Sequence, residues 1–237
     1  MFNVYDYLER KLTVQCMAHR GFSGMYPENT LLAFNEAIKI NADLIEFDVR
    51  VSGDGVPVVI HDASVDRTTD GSGLVSELSV DELKHLDAGL GEKIPTLQET
   101  LDLIKGKIMA FLEIKEDNAV PLVAEELNRF DLWEDIMITS FNKNHLVSIR
   151  EYRDFVYTGF IYINPKSGGI VTGIKVNAFA VLPYYKLATN KAIAFAHRAK
   201  MIVVPWTVDT LDVAKKLKEN GADGISSNRP DIMLSLK

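Results

Sequence analysis

Long apolar runs are missing from this sequence: no stretch is long enough to span a bilayer, which argues against a membrane-inserted protein. The first fifteen residues, MFNVYDYLERKLTVQ, mix acids and bases and hold no apolar core of signal-peptide length, so a soluble, cytoplasmic protein is expected. Basic residues are also short of the number that nucleic acid or anionic membrane would call for. The formal net charge is −7, and a general attraction to phosphate backbones needs a basic stripe. Any phosphate must therefore be met by a local site. The single cysteine, Cys16, excludes an intramolecular disulfide, and its place in the apolar run 14–18 marks it as a core residue. No glycine-rich nucleotide loop follows the first strand-like run, and no cluster of Cys and His offers a tetrahedral zinc site.

What is present is an alternation of short β-branched runs with amphipathic segments across 237 residues, 47% of them hydrophobic. Strands are expected at 13–19, 43–51, 108–114, 136–141, 155–162, 178–183, 201–208 and 224–227. Helical periodicity fills roughly 29–40, with Asn29 or Thr30 as N-cap, then 96–105, 119–129, 142–152, 190–199 and 210–219. Such alternation implies parallel βαβ units, in an open doubly wound sheet or a closed barrel. Eight strands in a chain of this length favour a single (β/α)8 TIM-barrel domain over residues 1–237, since such barrels run to about 250 residues.

A ninth run, VPVVIH at 56–61, follows the second strand by only SGDG, too short for a parallel crossover. Asp54-Gly55 is a hairpin signal, so 56–61 is expected to pair antiparallel with the second strand. A turn centred on that dipeptide sets His61 opposite Asp48; a four-residue loop sets it opposite Glu46. Either register turns His61 to the face that carries both carboxylates. The segment 62–93, rich in Asp, Ser, Thr and Gly, is expected to be a small insertion over the barrel mouth.

Glu46 and Asp48, at i and i+2, share a strand face near the carboxyl end, where barrel enzymes build their sites. Glu113 offers a third acid at the end of another strand. Hard oxygen donors suit Mg2+ or Ca2+, with Mn2+ a further option; on spacing alone, amide capping or pairing with lysines accounts for these acids equally well. His19 and His61 end two of the strand runs and are candidates for proton exchange near neutral pH, whereas His85, His145 and His197 are assigned to surface or packing. Arg20 and Lys115 each follow a candidate strand and supply positive charge, for a phosphate or for the acids nearby.

Taken in order, AHRG at 18–21, PENT at 27–30, EFDV at 46–49, VIHD at 59–62, DRTTDGSG at 66–73, IPTLQE at 94–99, LEIK at 112–115, WTVD at 206–209 and DGISSNRPD at 223–231 resemble the glycerophosphodiester phosphodiesterase family over nearly the whole chain. The resemblance implies a metal-dependent (β/α)8 barrel that hydrolyses glycerophosphodiesters to sn-glycerol 3-phosphate and an alcohol. It places Glu46, Asp48 and Glu113 on one divalent cation, His19 and His61 as the acid–base pair, Arg20 and Lys115 on the phosphate, and Trp206 near the alcohol. Glu28 and Asn29 would organise the first loop or cap its helix. Two departures stand out. SSNRPD replaces a common Thr-Asp pair before Arg-Pro, and WTVD replaces a common WTVN. The segment 142–200 matches only loosely. A lysophospholipase D-like lipid phosphodiesterase would use the same site and would show exposed leucine and phenylalanine in 74–94 or 160–185. A non-catalytic phosphate-ester binder would have lost a histidine or a carboxylate, and none is lost.

Overall fold

The computed structural model describes residues 14–164 and 168–236; the reading of the first fifteen residues as lacking a signal peptide and the start of the first expected strand fall largely outside them. The strands are β1 (Gln15–His19), β2 (Leu44–Val51), β3 (Pro57–Val59), β4 (Met109–Ile114), β5 (Ile136–Ser140), β6 (Thr158–Tyr162), β7 (Ala180–Pro183), β8 (Ile202–Val203) and β9 (Gly224–Ser227). All but β3 run parallel, in the order β8-β7-β6-β5-β4-β2-β1-β9. The ends of that path meet: the Asp223 N–H donates to Val203 O and the Ser226 N–H to Pro205 O, both at 3.0 Å. The result is a TIM barrel.

Alternation along the strands separates two cores. On β2, Ile45, Phe47, Val49 and Val51 turn outward and pack in one cluster with Phe34, Leu97 and Leu101 of the surrounding helices. Leu44 turns inward and joins Met17, Phe111, Met137, Leu182 and Val204 inside the barrel. Phe111 is fully buried there, so truncating it to alanine would destabilise the fold by about 3–5 kcal/mol. Two residues further along the same inward face, β2 presents Glu46 after Leu44 and β4 presents Glu113 after Phe111. The polar layer thus rests on an apolar floor at the carboxyl ends of the strands.

Helices α1 (Leu31–Lys39), α2 (Val80–His85) and α3 (Leu97–Ile104) are capped by Thr30, Ser79 and Thr96, the last two as capping boxes with Glu82 and Glu99. α4 (Ala119–Phe130), α5 (Lys143–Ser148), α6 (Gly169–Lys175), α7 (Asn190–Arg198), α8 (Leu211–Asn220) and α9 (Pro230–Met233) follow. None of the helices among the described residues is long and apolar enough to cross a membrane.

Several expectations need correction. The helix expected from residue 29 starts at Leu31, because Asn29 adopts a left-handed φ of 56° and only Thr30 caps. The helical segment at 142–152 breaks after Ser148 into a tighter 3-10 turn, and α6 went unpredicted. The hairpin strand covers only 57–59, with Val49 facing Val59, Arg50 facing Val58 and Val51 facing Pro57. That register lies one residue away from each of the two expected, and a one-residue slip reverses the faces of a strand. His61 lies beyond the strand end, so pairing does not set its direction. Residues after β3 form a small cluster of their own on it, in which Val58 and Ile60 meet Val65, Val75, Leu83 and Ile94.

Candidate active site

The chain turns sharply at the end of β1. Arg20 and Gly21 both adopt left-handed conformations, with φ of 54° and 77°, and a Cβ on Gly21 would lie only 2.7 Å from the carbonyl carbon of Ala33. This turn aims the Arg20 main-chain N–H at Glu46 Oε2, 2.9 Å away. His19, at the same turn, has Nε2 at 3.9 Å from the same carboxylate oxygen.

Glu46, Asp48 and Glu113 are all buried, and each can offer an oxygen within 4.8 Å of the others. Burial and the neighbouring Asp48 push Glu46 well above the usual carboxylate range and Glu113 up to about 7. Asp48 is pulled far below its ordinary value: burial works against ionisation there, but Lys115 and Arg20 outweigh it. Lys115 Nζ sits 2.7 Å from Glu113 Oε1 and 3.0 Å from Asp48 Oδ1; Arg20 Nε lies 3.3 Å from Asp48 Oδ2. Both cations expected on a phosphate are thus in contact with the acids. Converging carboxylates that resist ionisation favour a compensating positive charge, and an all-carboxylate donor set fits a hard divalent cation.

The two histidines line one cleft together with Glu46, Glu113, Arg20 and Trp206. Each is anchored through Nδ1. His19 Nδ1 is 2.7 Å from Asn228 Oδ1, and His61 Nδ1 is 2.6 Å from Asp62 Oδ1. Burial, with Arg20 close by, lowers the His19 pKa to about 4; burial also lowers that of His61, against the pull of Asp48. Trp206 donates its indole N–H to Leu182 O at 2.8 Å and meets Phe141 and Tyr184 edge-on.

Sequence alone assigns Arg67 and Asp62 no role, and leaves Glu28 and Asn29 between organising the first loop and capping its helix. Arg67 Nε donates to Asp62 Oδ2 at 2.5 Å, its terminal nitrogens reach Glu28, and Glu28 accepts from Arg20 at 2.9 Å. One chain of ion pairs therefore joins the His19 turn to the His61 loop. Asn29 donates to Asp48 rather than capping a helix. The signal for Asp62 and Arg67 in sequence was membership of the VIHD and DRTTDGSG stretches. The other three histidines lie elsewhere: His145 is buried against Asp117 and Ser140, His197 pairs with Asp223, and His85 bonds Asp81 O.

This barrel-end arrangement coincides with a match to the Glycerophosphoryl diester phosphodiesterase family over residues 19–232. The chain belongs to that family. It is a phosphoric diester hydrolase. It is 33% identical over 237 aligned positions to a glycerophosphodiester phosphodiesterase of Caldanaerobacter subterraneus subsp. tengcongensis, covering 93% of this chain and 96% of that one. A phosphodiesterase of Oleispira antarctica, solved in complex with the product sn-glycerol-3-phosphate, superposes with a TM-score of 0.88 at 29% identity, over 94% of this chain and 96% of that one. The glycerophosphodiester phosphodiesterase of Thermotoga maritima gives 0.83 at 25% identity, over 96% and 100%.

Proposed function

We propose that this phosphodiesterase hydrolyses glycerophosphodiesters to sn-glycerol 3-phosphate and an alcohol, with His19 and His61 as its proton-transfer pair. The observation that carries the reading is that both imidazoles, each held by its Nδ1, border the same cleft as Glu46 and Glu113, two of the three clustered buried acids. Glu46, Asp48 and Glu113 would hold one divalent cation, Mg2+ or Ca2+, with Mn2+ a further option. When bound, such a cation supplies positive charge that stabilises the phosphoryl oxygens.

The residues of the chain do the rest. One imidazole Nε2 takes the proton of the attacking oxygen as the new O–P bond forms. The bond from phosphorus to the alcohol oxygen breaks with its electron pair, and that oxygen takes a proton from the other imidazole. Arg20 and Lys115, beside the acids, supply the cationic charge within reach of a phosphate at the cluster. Trp206, which lines the same cleft, would meet the alcohol part of the substrate.

The test is turnover of a panel of glycerophosphodiesters with Mg2+, Ca2+ or Mn2+ by the wild type and His61→Ala. Turnover that needs the metal and collapses in the variant is expected. No turnover of any diester overturns the reading, and an unimpaired variant overturns the role of His61. The panel should include a lysophospholipid, because Leu74, Leu90, Ile163, Val171 and Ile174 are all exposed within or near the segments where a lipid tail would need apolar surface.

A further inference from the structure

Asp209 and Asn228 touch each other, and Asn228 reaches His19 of the candidate acid–base pair. Asn228 Nδ2 donates to Asp209 Oδ2 at 2.8 Å, and the Asn228 main-chain N–H donates to Asp209 Oδ1 at 2.8 Å. Ser227 Oγ donates to that same Oδ1 at 3.1 Å. The carboxylate therefore clamps residue 228 by both its backbone and its side chain. The carbonyl of Asn228 also accepts the Gly24 N–H at 2.7 Å, which ties the loop after β9 to the turn after β1.

The bonding has a definite direction. Carboxylate oxygens accept, so the face of the Asn228 amide turned to Asp209 must be the NH2. Its oxygen then faces His19 Nδ1, and an amide oxygen can only accept. The proton of a neutral His19 ring consequently sits on Nδ1. Nε2 is left bare, and it is the nitrogen on the Glu46 side. Ser23 Oγ, 2.9 Å from the same amide oxygen and 2.6 Å from the His19 carbonyl, closes the turn around the ring.

We infer that Asp209 and Asn228 are a positioning pair that fixes the tautomer and orientation of His19. With a carboxylate at 209 and an amide at 228, the pair presents one acceptor to His19 Nδ1 and joins its two side chains through a donor and an acceptor. The reverse order, an amide at 209 and a carboxylate at 228, can do the same, whereas a change at one position alone cannot. Asn at both positions leaves the amide of residue 228 free to present either end to the histidine, and Asp at both sets carboxylate against carboxylate. His61 differs in having its Nδ1 on a carboxylate directly. This inference rests on the reading of His19 as a proton-transfer group.

The full-length chain, labelled with 15N, allows the tautomer to be read from two-bond proton–nitrogen couplings of the His19 ring. The wild type is expected to show the Nδ1–H form. Asp209→Asn is expected to mix the tautomers and lower kcat on the order of tenfold with KM within about twofold, the pattern of a lost orienting contact. The double variant Asp209→Asn/Asn228→Asp should recover most of the lost kcat and a single tautomer, which a merely structural defect would not do. An Nε2–H ring in the wild type overturns the inference, as does Asp209→Asn with unchanged tautomer and kcat. If a single variant does not fold, the wild-type tautomer and the double variant decide. A wild type with an Nδ1–H ring and no turnover would instead overturn the functional reading while leaving the positioning of His19 established.

Discussion

Asn29 donates its side-chain N–H to Asp48 Oδ2 at 2.9 Å, joining the loop before α1 to β2. Both side chains are almost sealed from solvent, so neither can take water in exchange. Asn29→Ala would leave a buried carboxylate oxygen short of a donor, a loss of about 1–3 kcal/mol in unfolding free energy. Urea denaturation should show a lower midpoint with an unchanged slope. An unchanged midpoint would mean that Arg20 and Lys115 alone satisfy Asp48.

Metal affinity should depend on pH through Glu113. Its carboxyl is held up to about 7 by burial and by Asp48, so it is protonated below that value and ionised above it. A cation needs the ionised form, and its binding therefore releases a proton. Calorimetric titration with Mg2+ or Ca2+ should show affinity weakening as pH falls through 7, toward about tenfold per pH unit for the Glu113 proton and more steeply where Glu46, also held high, takes up a second. Affinity that does not change across that range would show that Glu113 is not a ligand.

Lys115 should be a strong stabiliser of the metal-free protein. Its Nζ contacts Glu113 and Asp48 at 2.7 and 3.0 Å, with the side chain only 8% exposed. Lys115→Met would leave two buried acids without that cation, and losing one partner of a buried ion pair destabilises by about 3–5 kcal/mol. Thermal unfolding without metal should reveal the loss. A saturating divalent cation should restore part of it in the variant, and a variant as stable as the wild type in chelator would refute the pairing.

The legible part of this protein was whatever follows from strand periodicity. Hydrophobic runs of strand length, separated by helical patterns, lead to eight parallel strands, and eight such strands close into a barrel. The same alternation puts Glu46 and Asp48 on one face of β2, two and four residues beyond Leu44, which lies in the barrel interior. The register of the hairpin was not legible, because loop length leaves neighbouring registers open and the packing of Val58 and Ile60 against the following segment selects among them.

The sequence by itself determined the barrel, the inward acids and the presence of histidines at strand ends, since these depend on spacing along single segments. Only the tertiary structure decided who holds whom. Asn29 reaches across 19 positions to Asp48, Arg67 across 39 to Glu28, and Asn228 across 209 to His19. Such contacts arise where backbones turn at the rim: the left-handed turns at Arg20 and Asn29, the loop after β3 and the loop after β9. Side-chain direction at a turn is set by torsions and by partners from distant strands, and no local period in the sequence encodes either.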